Sequence, residues 1–175
     1  MGTKGHKYPN PGPPFVGKGF SPWHAAYKVE KYFDREADDV AGHEPDEVIE
    51  FEGNLLANLG INVLLDLLIG AAGTDFDNTN GHLGVGNSST AAAATQTDLQ
   101  GASTARVILD ALATISSQTL TFVATFGSAV ANFAWEEVAI FNASSGGTML
   151  SRRVSSLGTK ASGATWVLTI TLTVS

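Results

Sequence analysis

Residues 166–174 read WVLTITLTV, and this stretch decides the fold. Trp166, Leu168, Ile170, Leu172 and Val174 fall on one side of a two-residue period, with Val167, Thr169, Thr171 and Thr173 on the other. Strict alternation marks a half-buried strand, because successive side chains leave a pleated backbone on opposite faces. Residues 118–126, QTLTFVATF, repeat the pattern with Leu120, Phe122, Ala124 and Phe126 inward. Residues 133–141, FAWEEVAIF, read as a strand kinked at Glu136 and Glu137. Residues 148–154, TMLSRRV, follow a Ser-Ser-Gly-Gly turn at 144–147, so the two segments form a hairpin. HLGVG at 82–86 and EVIEF at 47–51 are shorter strand candidates. Ser, Thr and Ala stand where an exposed sheet would carry charge, a composition suited to a face packed in an assembly. The expected fold is mainly β, an antiparallel, jelly-roll-like β-sandwich of about six to eight strands.

One helix accompanies it. Residues 54–69, NLLANLGINVLLDLLI, place Leu55, Leu59, Val63 and Leu67 on one stripe with Leu56 and Leu64 beside it, and Gly70 sits where a left-handed stop belongs. Gly60 weakens the helix without breaking it. A stripe of this kind packs against a sheet.

The remainder divides by charge. The chain has 175 residues and a net charge of −7, enough for one compact domain with an appendage. All six prolines lie within the first 45 residues, and residues 34–52 carry nine acids against one base, Arg35. The expected organisation is an extended Pro/Gly/aromatic arm with an acidic connector over 1–50, then the β-sandwich over 51–175 with its helix at 54–69. Seven of the fifteen aromatics fall in the first 33 residues, which is unlike a solvated linker. The arm is therefore expected to bind a partner protein. Tyr8, Phe15, Phe20, Trp23 and Tyr27 would enter apolar grooves while Lys4, Lys7 and Lys18 meet acidic rims, including those of another copy. Interleaved Lys and aromatics can also stack bases, but the adjacent acidic block would repel a phosphate backbone, so nucleic acid is disfavoured. Removing residues 1–33 is expected to leave a folded β-domain.

Several chemistries are excluded or disfavoured. With no Cys there is no disulfide framework, cysteine nucleophile or thiolate metal site. No apolar run reaches the ~18 residues of a membrane span, and the first residues lack the apolar core of a signal peptide, so use without Sec export is expected. The chain contains no G-x-S-x-G, H-E-x-x-H or P-loop motif. His82 with Asp75 and Asp77 reads as a polar turn. The DFDNTNG run at 75–81 fails the calcium-loop register, with Asn80 where Gly is needed and Gly86 where Glu is needed. The sequons at Asn87 and Asn142 are read as coincidence in an unexported chain. No catalytic residue, cofactor or metal is expected. Glu136 and Glu137, adjacent in a strand, point to opposite faces and cannot act as an acid–base pair. Glu136, Glu137, Arg152 and Arg153 are instead the candidates for a structural ion pair across the hairpin.

Two stretches carry a resemblance. LGVGNSSTAA at 83–92 followed by TDLQG at 97–101, and WEEVAIFN at 135–142 followed by GGTMLSR at 146–152, resemble runs in virion structural proteins of tailed bacteriophages. The match spans about residues 51–175 and leaves the arm without a counterpart. The resemblance implies a non-enzymatic virion protein, assembled in the host cytoplasm. It would be a capsid-surface decoration or cement protein, or alternatively a tail or fibre-attachment adaptor. It further implies a homo-oligomer, a trimer, whose partners are other copies and the major capsid protein or tail proteins. The rival class is an enzyme, a cell-wall or polysaccharide hydrolase, and a third is a glycan-binding module with a sugar over Trp135 or Trp166.

Overall fold

A computed structural model describes residues 23–53 and 55–174. The order is β1 (Trp23–Tyr32), a 3-10 turn (Ala37–Asp39), β2 (Glu47–Gly53), α1 (Asn58–Leu68), β3 (His82–Gly86), β4 (Thr104–Ile108), β5 (Thr114–Ser116), β6 (Thr119–Phe126), β7 (Ala134–Phe141), β8 (Met149–Thr159) and β9 (Thr165–Val174). The alternating stretch of the sequence becomes β9, the middle strand of a five-stranded sheet ordered β2-β1-β9-β6-β5. A second sheet, ordered β4-β3-β7-β8, packs on it, and every pairing is antiparallel. The fold is a two-sheet β-sandwich with one helix. Sequential strands β1–β2, β3–β4, β5–β6 and β7–β8 pair within one sheet. The jelly-roll likeness thus stops at the two layers, since the connectivity is one of successive hairpin-like pairs.

The core between the sheets is aromatic at its centre. Trp135 stands edge-on to Phe126 and to Trp166, with ring centroids 4.7 Å and 4.8 Å apart, and its indole N–H donates to the Ala131 carbonyl at 2.9 Å. Phe122, Leu168, Ile170, Leu83, Val85, Val138 and Ile140 complete it. Each such side chain contributes about 1.5–3 kcal/mol on burial, so this layer dominates the stability of the fold.

The boundary expected at residue 50 is corrected by β1. Residues 23–32 pair with β9 on one side and β2 on the other, and Ala25, Tyr27 and Val29 are buried in the sandwich core. Trp23 and Tyr27 therefore belong to the domain and not to a partner-binding arm. Tyr27 stacks on Phe51 of β2, centroids 4.8 Å apart with ring planes 5° from parallel. Lys31, also buried, lies over the Trp166 ring at 4.5 Å and pairs with Glu47 at 2.9 Å.

The helix is shorter than expected and turned. Residues 55–57 are extended, with Leu56 bridging to Ser151, before α1 begins at Asn58. Gly60 is its only buried residue, and Val63 and Leu64 pack behind it. A Cβ on Gly60 would lie 2.6 Å from the Leu150 Cα, so the missing side chain sets how closely α1 approaches β8. Leu59, a member of the expected inner stripe, is 50% exposed as a result.

Two truncations separate this topology from the expected one. A chain starting at Trp23 keeps every strand described above and should unfold cooperatively in urea. A chain starting at Asp34 lacks the strand between β2 and β9 and should show no cooperative transition by circular dichroism.

Candidate functional site

The most organised polar site is a buried ion pair on the outer face of the β3–β7–β8 sheet. The β7–β8 ladder slips between Trp135 and Glu137, where the kink is expected, and again between Ile140 and Phe141, the second slip placing Arg152 opposite Ala139. Glu137 and Arg152 are then diagonal neighbours on one face. Arg152 Nε donates to Glu137 Oε2 at 2.5 Å, and the two side chains are 1% and 0% exposed. Glu137 also accepts the backbone N–H groups of Gln100 and Gly101, at 3.0 Å and 2.7 Å. Arg152 further donates to Gln96 Oε1 and to the Thr90 carbonyl, each at 2.9 Å.

All four of those partners lie between β3 and β4. The pair therefore holds the β3–β4 connection, residues 87–103, down as a lid of backbone over the sheet. A Cβ on Gly86 would strike the Glu137 carboxylate, so glycine is needed for β3 to pass. Beside the pair, Leu99, Ala57, Ala139, Phe141 and Met149 form a second, smaller core. Arg106 closes its rim: it lies over the Phe141 ring at 3.4 Å, pairs with Asp98 at 2.8 Å and donates to the carbonyls of Ala143 and Gly146. Asn58 N–H donates to the Ala94 carbonyl at 2.8 Å, tying α1 into the same layer. The two stretches that carry the family resemblance are thus in contact through Glu137, Arg152, Thr90, Gln100 and Gly101.

The other members of the expected ion-pair set lie apart. Glu136 lies away from the pair and accepts from Ser156 Oγ at 3.0 Å in an exposed bond. Arg153 runs across Gly53, whose Cβ would lie 2.5 Å from its Nε. Arg153 Nε, Tyr27 Oη and Ser151 Oγ are buried polar atoms whose contacts lack hydrogen-bond geometry. Burial pushes the Tyr27 phenol up to about 12, with nearby Ser151 and the Arg153 charge pulling the other way. Nothing in the sequence pattern distinguishes Arg152 from Arg153; the one-residue register shift between Ile140 and Phe141 decides it.

Two further features have plain geometry. Asp77 Oδ1 accepts the N–H groups of Thr79 and Asn80 at 2.9 Å and 2.8 Å, and these bonds, Asn80's foremost, hold its carboxyl below the usual range. His82 Nδ1 lies 2.7 Å from the Asn80 carbonyl, beside a shallow polar hollow lined in part by Thr74, Asn142 and Ser144. Trp135 and Trp166 are 0% and 2% exposed, so no sugar ring can stack on either. Lys4, Lys7, Tyr8, Phe15, Lys18 and Phe20 lie outside the described residues. No helix among the described residues is long and apolar enough to cross a membrane.

The surface carries an uncovered apolar face. Ile61, Leu65 and Leu68 on one side of α1, with Ile69 just beyond its end, are 38%, 55%, 81% and 79% exposed. Asp66 is the only charged residue of that helix. The outer face of the five-stranded sheet is low in charge at its centre, where Thr119 stands opposite Thr173 and Thr121 opposite Thr171.

The fold and site define a β-sandwich with a lid of backbone locked on one sheet. Compared with known proteins, the chain matches no family model, no curated protein and no solved structure.

Removing one partner of the buried pair leaves the other charged in a dry site. Glu137→Ala should cost about 3–5 kcal/mol in urea unfolding, while Glu137→Leu with Arg152→Met together should recover only part of that loss, because the Gln100 and Gly101 N–H groups and the Thr90 carbonyl stay without their partners. The Tyr27 site titrates separately. A folded phenol of raised pKa keeps its proton where the unfolded one has lost it, so stability present below pH about 10 is lost as pH climbs towards 12. Tyr27→Phe should change stability by no more than about 1 kcal/mol at neutral pH, and should shrink the alkaline loss in pH-dependent melting.

Proposed function

We propose that this chain is a non-enzymatic structural subunit that works by burying surface against other proteins, and that it serves in a tailed-phage virion as a capsid-surface decoration or cement protein. The observation that carries the reading is the exposed apolar face of α1. Three large aliphatic side chains open to water on one side of an 11-residue helix, Ile61, Leu65 and Leu68, with Ile69 directly after it, form a patch of the kind that marks a protein contact. The low-charge threonine face of the five-stranded sheet is a second surface of that character.

Charge supports a role for the N-terminal residues in the same assembly. Residues 1–22 carry three lysines and no acid, whereas residues 23–175 carry seven bases and 17 acids, a balance of 7 − 17 = −10. Ten of those acids fall within residues 30–52. A basic, aromatic segment on one copy and an acidic connector on the next attract each other, and many modest contacts repeated over a shell add up to a persistent one. The virion assignment rests on the two motif runs. The shell position rests on a compact domain without a repeat-built shaft. Glu137, the most buried carboxylate, is neutralised by Arg152 and spent on holding the lid, so it supplies no free acid or base.

Light scattering after size exclusion tests the contact face. The native chain should run as an oligomer, a trimer on the motif resemblance, and Leu65→Glu with Leu68→Glu should reduce it to the 18.2 kDa monomer without loss of the melting transition. A native chain that stays monomeric at every concentration and does not bind capsid shells contradicts the proposal.

A further inference from the structure

Lys160 is an anomaly of the fold. It follows β8 directly, its N–H donates to the Phe133 carbonyl at 3.1 Å, and the residue is 1% exposed. Among the described residues no carboxylate lies within ion-pair distance of its ammonium, which has two neutral acceptors: the Gly127 carbonyl at 2.8 Å and Asn132 Oδ1 at 2.9 Å. A buried ammonium held only by neutral acceptors is a costly arrangement.

We propose that Lys160 and Asn132 are joined by an intramolecular isopeptide bond, formed when the Lys160 amine displaces the side-chain nitrogen of Asn132 as ammonia. The free amine attacks Cγ of the carboxamide, one bond beyond the oxygen it already contacts. The Nζ–Cγ bond forms, the Cγ–Nδ2 bond breaks, and one Nζ proton is carried to the departing nitrogen. No oxidant, reductant or second substrate is required. The product is a neutral secondary amide that removes the buried charge. Its remaining N–H can still donate to the Gly127 carbonyl.

Three features of the site favour the step. Burial lowers the Lys160 ammonium to about 8, so a substantial fraction is free amine in mildly alkaline solution, the Glu36 charge opposing that shift. Asn132 Nδ2 is held by the Ser128 carbonyl at 2.9 Å, and Ser128 Oγ donates to Glu36 Oε2 at 2.7 Å. Water reaching the exposed Asn132 side chain can carry the proton from Nζ to Nδ2. Asn132 is itself exposed, which gives ammonia an exit. Holding amine and carboxamide in contact replaces a bimolecular encounter, an advantage worth effective molarities of about 10⁵ M or more in well-oriented cases. The bond would staple the β6–β7 loop to the β8–β9 loop, closing a span of 28 residues.

Intact-mass spectrometry of the purified chain, held at mildly alkaline pH, tests this directly. The expected result is a mass lower than the sequence by one ammonia, about 17 Da, with a branched Lys160–Asn132 peptide in the digest. Lys160→Arg and Asn132→Ala should each restore the full mass. An Asn succinimide has the same mass, so hydroxylamine is the control: it opens a succinimide and leaves an isopeptide intact. A native chain of full mass after prolonged incubation overturns the proposal. So does a loss that persists in Lys160→Arg or disappears with hydroxylamine.

Discussion

The Glu137–Arg152 pair is the interaction on which the outer half of this molecule depends. Each partner alone would be a charge stranded in a dry interior, and the attraction between them offsets desolvation only when the remaining donors and acceptors are also satisfied. Here they are, and the satisfying groups come from residues 90, 96, 100 and 101. A connection rich in Ser, Thr and Ala has too little apolar surface to fold onto a sheet by itself. The buried pair gives its backbone somewhere to bind, and Leu99 then fills the space over Ala139 and Phe141.

That arrangement explains why β3 and most of β7 are buried on both faces. One face meets the aromatic core around Trp135, while the other meets the lid and the start of α1. It also explains the composition of β3, where Gly84 and Gly86 leave room for the Phe141 ring and the Glu137 carboxylate. The sandwich core stabilises the fold, and the polar clamp selects one position for the lid. The surfaces left over are the apolar side of α1 and the threonine face of the other sheet, the faces that the proposed assembly would use.

Much of this is legible in the sequence itself. Strands with clean two-residue alternation, such as β6 and β9, were readable because one face of each is core and the other is not. β1 was missed although Ala25, Tyr27 and Val29 alternate, because Lys28, Glu30 and Lys31 and the preceding prolines made it read as an extension of the arm. β4 and β5 are too short for a period to show. The helix was read from leucines that surround it, whereas its contact is decided by Gly60, a residue with no side chain to count. The ion pair could be narrowed to Glu136, Glu137, Arg152 and Arg153, but which arginine joins it depends on the one-residue slip between Ile140 and Phe141. The lid left no apolar signal, since backbone N–H and C=O groups hold it.

Amide hydrogen exchange at Gln100 and Gly101, followed by NMR, tests the clamp most directly. Both N–H groups donate to a carboxylate with no exposure to solvent, so they should exchange only through global unfolding, at rates matching the protected amides of β9. The amides of Ser88 and Ser89, in the same connection, should exchange far faster. If Gln100 and Gly101 exchange as quickly as those serines while β9 stays protected, the lid is not held by the Glu137–Arg152 pair and the account is wrong.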